Sequence, residues 1–133
     1  MIDQASVHSL TEAIQHYFDL IYDCDTSRFD RVFRSTAQLH GLWDGQMKLL
    51  SAQAFKESLG AGPSPKSLNA VREDAILMID FASATQALTK VRVRNAAAVF
   101  VDYLTWHRID GDWLVTSKGF HVERKDPLLA QAA

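Results

Sequence analysis

Cysteine is almost missing. Cys24 is the only one, which excludes an internal disulfide and any cysteine-based zinc cluster. No apolar run approaches the ~20 residues that span a bilayer. The opening Met1-Ile2-Asp3-Gln4 lacks the basic and long apolar regions of a signal peptide. Excess charge is missing too: 14 Lys and Arg face 16 Asp and Glu, a formal net charge of −2, so no basic footprint announces nucleic acid. No G-x-G-x-x-G, P-loop or G-x-S-x-G run occurs. The five histidines, His8, His16, His40, His107 and His121, show neither H-x-H nor H-x-x-x-H spacing. No cofactor, no metal, no nucleic-acid partner and no membrane partner is therefore expected, and a reduced cytoplasmic setting is the default.

What is present is ordinary globular material, 47% apolar and 23% charged over 133 residues, which predicts one domain over 1–133 with a frayed tail at 126–133. Val7, Leu10, Ile14, Phe18 and Ile21 recur at spacings of three and four, one face of an amphipathic helix. Ser9 to Glu12 fits a capping box, and Asp3 or Ser6 offers an earlier start. Asp23 to Thr26 breaks the pattern. A short second helix, capped by Asp25 or Thr26, turns Phe29, Val32 and Phe33 inward. Alternation follows: Ala37, Leu39, Gly41 and Trp43 lie on one side of a strand, with Gln38, His40 and Leu42 on the other. Asp44-Gly45 marks a hairpin, Gln46 to Leu50 the return strand, and Ser51 the cap of a third helix. After the loop at 60–65 the chain reads as strands near 69–82, 86–95, 98–109 and 113–123, the last two joined at Asp110-Gly111-Asp112. Helices first and a meander after them predict α+β, with the helices on one face of a sheet.

The strand around 99–106 carries apolar residues on both faces. Phe100, Leu104 and Trp106, joined by Lys118 and Phe120, are assigned here to an outer face that a second copy would cover, so a homodimer is expected. Asp102 and Lys118 fall on that face as a cross-strand ion pair; a catalytic Lys–Asp pair is the alternative.

Tyr17-Phe18 and the turn at Cys24-Asp25, then Phe29-Asp30-Arg31-Val32-Phe33 and Ala37-Gln38-Leu39, resemble the first helices and first strand of the nuclear transport factor 2-like superfamily. Asp102-Tyr103-Leu104, Asp110-Gly111-Asp112-Trp113 and Lys118-Gly119-Phe120-His121 are similar to the subgroup called putative lumazine-binding, and the likeness extends to its polyketide cyclase-like relatives. The resemblance implies a cone: a strongly curved, mixed but mainly antiparallel sheet wrapped around three N-terminal helices, open at one end and paired through its outer face.

Ketosteroid isomerases share that fold and need a helix-borne Tyr, an Asp base on the first strand and a late-strand acid. Counted along this chain, the three places hold Tyr17, Gly41 and Thr105, so steroid isomerisation is not expected. The same count implies a ligand pocket of Tyr17, Trp43, Tyr103, Thr105, Ser117 and His121. Candidate acid–base residues are Tyr17, His40 (if a bulge turns it inward) and His121. Three functions stay open: binding of a small aromatic or polyketide-like molecule, a lyase or isomerase of dehydratase or cyclase type using Tyr and His, and a non-catalytic interaction subunit whose cone is filled by its own side chains.

Overall fold

The computed structural model describes residues 2–128. Helix α1 spans Gln4–Asp23. Its N-cap is Asp3, whose carboxylate accepts the Ser6 N–H at 2.8 Å, so the earlier of the possible starts is used. The helix stops at Cys24, which adopts a left-handed φ of 53° and returns its N–H to the Leu20 carbonyl. A 3-10 helix over Thr26–Arg31, capped by Asp25, leads into strand β1 (Phe33–Trp43). Then come β2 (Gln46–Ser51), helix α2 (Ala52–Ala61) capped by the Ser51 hydroxyl, β3 (Ala75–Ser83), β4 (Gln86–Arg94), β5 (Ala98–Ile109) and β6 (Asp112–Lys125). Both Asp-Gly hairpins have positive φ at each central residue, 51° and 77° at Asp44-Gly45, 52° and 86° at Asp110-Gly111. That geometry matches the right-handed twist of the flanking strands.

The six strands form one curved sheet in the order β2-β1-β6-β5-β4-β3. Every pairing is antiparallel except β1 with β6. The sheet wraps α1, whose Leu10, Ile14, Tyr17, Phe18 and Ile21 join Val91, Val93, Leu104, Trp106, Trp113 and Val115 in one core. Trp106 is wholly buried and its indole N–H donates to Thr89 Oγ1 at 2.9 Å, so the large ring is buried with its donor satisfied.

Three expectations need correction. Strand β3 begins at Ala75, not near 69, because the preceding segment docks on α1: Lys66 N–H bonds the Tyr22 carbonyl and the Tyr22 hydroxyl bonds the Ala70 carbonyl. The tail expected to fray from residue 126 is tied down through 128, with the Asp126 and Leu128 N–H groups bonded to the Ala97 and Ala96 carbonyls; residues 129–133 lie outside the described residues. The third correction is the parity of β5 and β6. Thr105 pairs with Ser117, yet Trp106 pairs with Val115, so Thr116 is an extra residue, a β-bulge. Trp113 and Val115 point inward before it, and Lys118 and Phe120 point inward after it. A bulge of one residue reverses every side chain beyond it. The bulge accounts for Lys118 and Phe120. On β5 the alternation is unbroken from Val99 to His107, and the side facing α1 is the one assigned to dimer contact. Leu104, Trp106 and Lys118 are therefore buried, and Phe100 and Phe120 pack against the core.

Candidate functional site

The inner face of β5 should be apolar throughout, since Phe100, Leu104 and Trp106 flank it. Asp102 interrupts it and is wholly buried. A buried carboxylate requires partners, and two elements supply them. From α1, the Tyr17 hydroxyl donates to Asp102 Oδ2 at 2.5 Å. From β6, Lys118 Nζ stands 3.5 Å from the same oxygen. Leu104 pairs directly with Lys118, and Asp102 with Phe120, so Asp102 and Lys118 are diagonal neighbours within reach of one another. The other oxygen, Asp102 Oδ1, is buried with no hydrogen-bond partner among the described residues. The Lys118 ammonium also lies 4.4 Å from the centre of the Phe55 ring and 5.3 Å from that of Tyr17, positions that favour a cation.

Burial works against both hydroxyl and ammonium as charged groups. It pushes the Tyr17 hydroxyl well above its ordinary value, and the adjacent Asp102 charge pushes the same way, so Tyr17 keeps its proton and acts as a donor. Burial pulls Lys118 below the ordinary lysine value, against the attraction of Asp102.

Asp102 and Lys118 form the polar floor of a cavity of about 320 Å³, at the small end of the ligand-site range. Its walls are apolar, from Ile21, Leu39, Leu50, Phe55, Leu59 and Val93, with the rings of Trp43, Phe100 and Phe120. Trp43 stacks on Phe100 at 6.3 Å, and Phe100 meets Phe120 edge-on. Lys48 and Ser58, both exposed, line its outer part with Asn95. The place counted as a base on β1 is filled from elsewhere: a Cβ on Gly41 would lie 2.4 Å from the Phe120 ring, so that ring takes the space a longer side chain would use.

Of the residues expected in the pocket, Trp43 lines it and Tyr17 stands directly behind its floor. Tyr103, Thr105, Ser117 and His121 are on the outer face. Tyr103 is 45% exposed, with Lys90 Nζ 5.6 Å from its ring centre. Ser117, His121 and His40 are exposed, and His40 pairs with exposed Leu49 on the outside of the β1–β2 hairpin. Neither candidate histidine reaches Tyr17 or the cavity. The polar site residues that sequence reasoning put on the wrong face are Asp102 and Lys118, misplaced together with the apolar residues Phe100, Leu104, Trp106 and Phe120 beside them. A signal for Asp102 existed: a lone charge among Phe100, Leu104 and Trp106, on the face that has to be buried.

Residues 5–121 match the family described as "Putative lumazine-binding". No curated protein matches the chain. Solved structures share its fold. An NTF2-like protein of unknown function from Silicibacter pomeroyi is 22% identical, covers 95% of this chain and 100% of its own, and superposes with a TM-score of 0.76. Another from Shewanella baltica gives 21% identity, coverage of 93% and 98%, and a TM-score of 0.77. A ketosteroid isomerase-like protein from Erwinia carotovora gives 10% identity, coverage of 92% and 99%, and a TM-score of 0.69. Among the described residues no helix is long and apolar enough to cross a membrane.

Proposed function

This chain belongs to the family described as putative lumazine-binding, and from that premise we propose that it binds a small, flat, mostly apolar molecule in the cone, held by one polar group at the floor. One observation carries the reading: Asp102, whose Oδ1 is a buried acceptor without a donor among the described residues, lines an aromatic-walled cavity. Leaving such an acceptor unpaired costs about 1–3 kcal/mol, more for a charged one, and a ligand hydroxyl or ring N–H removes that cost. Lys118 supplies the complementary donor for a ligand oxygen. A pteridine dione, which sets N–H donors beside carbonyl acceptors on a flat bicycle, has this pattern, as does a phenol on a fused ring.

A lyase or isomerase using Tyr and His is less well supported, since His40 and His121 are exposed on the outer face and the Tyr17 proton is committed to Asp102. A self-filled interaction subunit is also disfavoured by the cavity's volume.

Titration calorimetry tests the binding reading with 2-naphthol, pteridine-2,4-dione and naphthalene. A hydrogen bond to a charged acceptor contributes about 1.5–3 kcal/mol, so 2-naphthol should bind about 10- to 100-fold more tightly than naphthalene, and Ser58→Trp should abolish binding by plugging the cavity. Equal affinity for the two probes would refute the role of the floor.

The homodimer belongs to this proposal, through different residues. Leu42, Met47 and Leu49 are 55%, 64% and 60% exposed on the outer face, across the sheet from Tyr103. Leu49→Glu should convert a dimer to a monomer in sedimentation. A native protein that sediments as a monomer removes the dimer. A cytoplasmic setting, suited to the free thiol of Cys24, completes the proposal.

A further inference from the structure

We propose that Lys118 is an amine nucleophile that condenses with an aldehyde or ketone carbonyl of the cavity's ligand, with Asp102 carrying the protons. The proposal rests on the reading of the cone as a small-molecule site and names the ligand's reactive group. Three observations point to it. The Lys118 side chain is 8% exposed, and the cavity it lines is walled by apolar and aromatic groups. Its only carboxylate neighbour among the described ion pairs is Asp102, at 3.5 Å. Asp102 is anchored through Oδ2 by Tyr17, while Oδ1 has no partner among the described residues and is free to take and return a proton. Burial also favours the neutral amine over the ammonium, the form a nucleophile needs.

The step balances within the pair. A proton passes from the Lys118 ammonium to Asp102, freeing the nitrogen lone pair. That pair forms a bond to the carbonyl carbon, the C–O π electrons move to oxygen, and the oxygen takes the proton back from Asp102. Asp102 then removes a second proton from nitrogen and delivers it to the new hydroxyl. Water leaves with the C–O bonding pair as the nitrogen lone pair closes the C=N bond. The net change is ammonium plus carbonyl giving iminium plus water. A cation faces the Asp102 carboxylate before and after, so the cavity's charge is unchanged and no oxidant or reductant is required.

The test uses the full chain with 2-naphthaldehyde and cyanoborohydride, which reduces the C=N bond to a stable amine, followed by peptide mapping. Calorimetry with 2-naphthalenemethanol, which cannot condense, reads binding separately. The expected result is one naphthylmethyl group on Lys118, formed at least about tenfold faster than on any exposed lysine, since a positioned proton-transfer group such as Asp102 is itself worth about 100-fold or more. Lys118→Met should lose this label. In Asp102→Asn, at saturating aldehyde, labelling should slow about 100-fold, the low end for a lost proton-transfer group. If Lys118→Met does not fold, the native map and Asp102→Asn decide. Labelling confined to Lys48 and the other exposed lysines, with the alcohol still bound, overturns the condensation and leaves the binding reading standing. If the alcohol does not bind and no lysine is favoured, both fall. An unchanged rate in Asp102→Asn overturns the shuttle.

Discussion

Lys118→Met removes the cation from the cavity floor and strands Asp102. At 3.5 Å and an effective dielectric near 20, the attraction between the two charges is about 5 kcal/mol. Desolvation of both groups offsets much of that in the native fold, but removing one partner does not return the other to water. Asp102, wholly buried, would keep one hydrogen bond from Tyr17 and no counter-charge, so the variant should lose about 3–5 kcal/mol. For a domain of this size that corresponds to a melting point lower by roughly 10–20 °C. The double variant Lys118→Met with Asp102→Asn has no stranded charge and should recover to within about 1 kcal/mol of the native protein, or exceed it. Urea denaturation followed by tryptophan fluorescence reads all three proteins. The double variant should also lose the 2-naphthol preference, separating what the pair does for stability from what it does for binding. A loss below about 1 kcal/mol in Lys118→Met, or a double variant no more stable than the single, would refute the claim that these charges are buried and coupled.

Other predictions follow from nearby geometry. Gly41→Ala should cost about 1–3 kcal/mol by overpacking, because its Cβ would stand 2.4 Å from the Phe120 ring; pairing it with Phe120→Leu should restore most of the loss, as urea melts will show. Arg124, at 2.6 Å, and Arg94, at 2.9 Å, hold Glu73 below its ordinary value of 4.5. A depressed carboxylate adds stability above that value and loses it as the pH falls through the folded value, so Glu73→Gln should flatten the acid limb of the stability curve below 4.5. Turnover of a Δ5-3-ketosteroid should be undetectable by ultraviolet absorbance, since Gly41 bears no base and Thr105 stands on the outer face. Turnover that is lost in Tyr17→Phe would contradict this.

Local chemistry made much of the architecture legible. Asp-Gly at 44–45 and 110–111 names its own turn type, Asp3 and Ser51 mark helix starts, and the motifs from Asp102 to His121 place the chain in its family. The site was less legible because it depends on a count. Alternation assigns faces only while the register runs unbroken, and Thr116 breaks it by one residue ahead of Lys118. On β5 the alternation is regular but does not say which side faces the helices, which is where Asp102 was lost. Nothing in Val115-Thr116-Ser117 distinguishes a bulge from regular pairing: the Thr116 hydroxyl meets His107 Nδ1 at 2.6 Å, a contact visible only in the fold. Tyr17 was recognisable only through the likeness of its helix to the first helix of the family. Lys118 was not, because a lysine on a strand is most simply placed in water, and its burial follows from Phe55, Tyr17 and Asp102 converging from three elements distant in sequence.

The central claim is that the cone holds a ligand whose polar group meets Asp102 and Lys118. A crystal structure of the protein with 2-naphthol tests it most directly. The account predicts the bicycle between Trp43, Phe100 and Phe120, with its hydroxyl donating to Asp102 Oδ1 and accepting from Lys118 Nζ, each at about 2.7–2.9 Å. Naphthol bound only on the outer sheet, or in the cavity with its hydroxyl directed to the mouth and Asp102 Oδ1 still unpartnered, would contradict it.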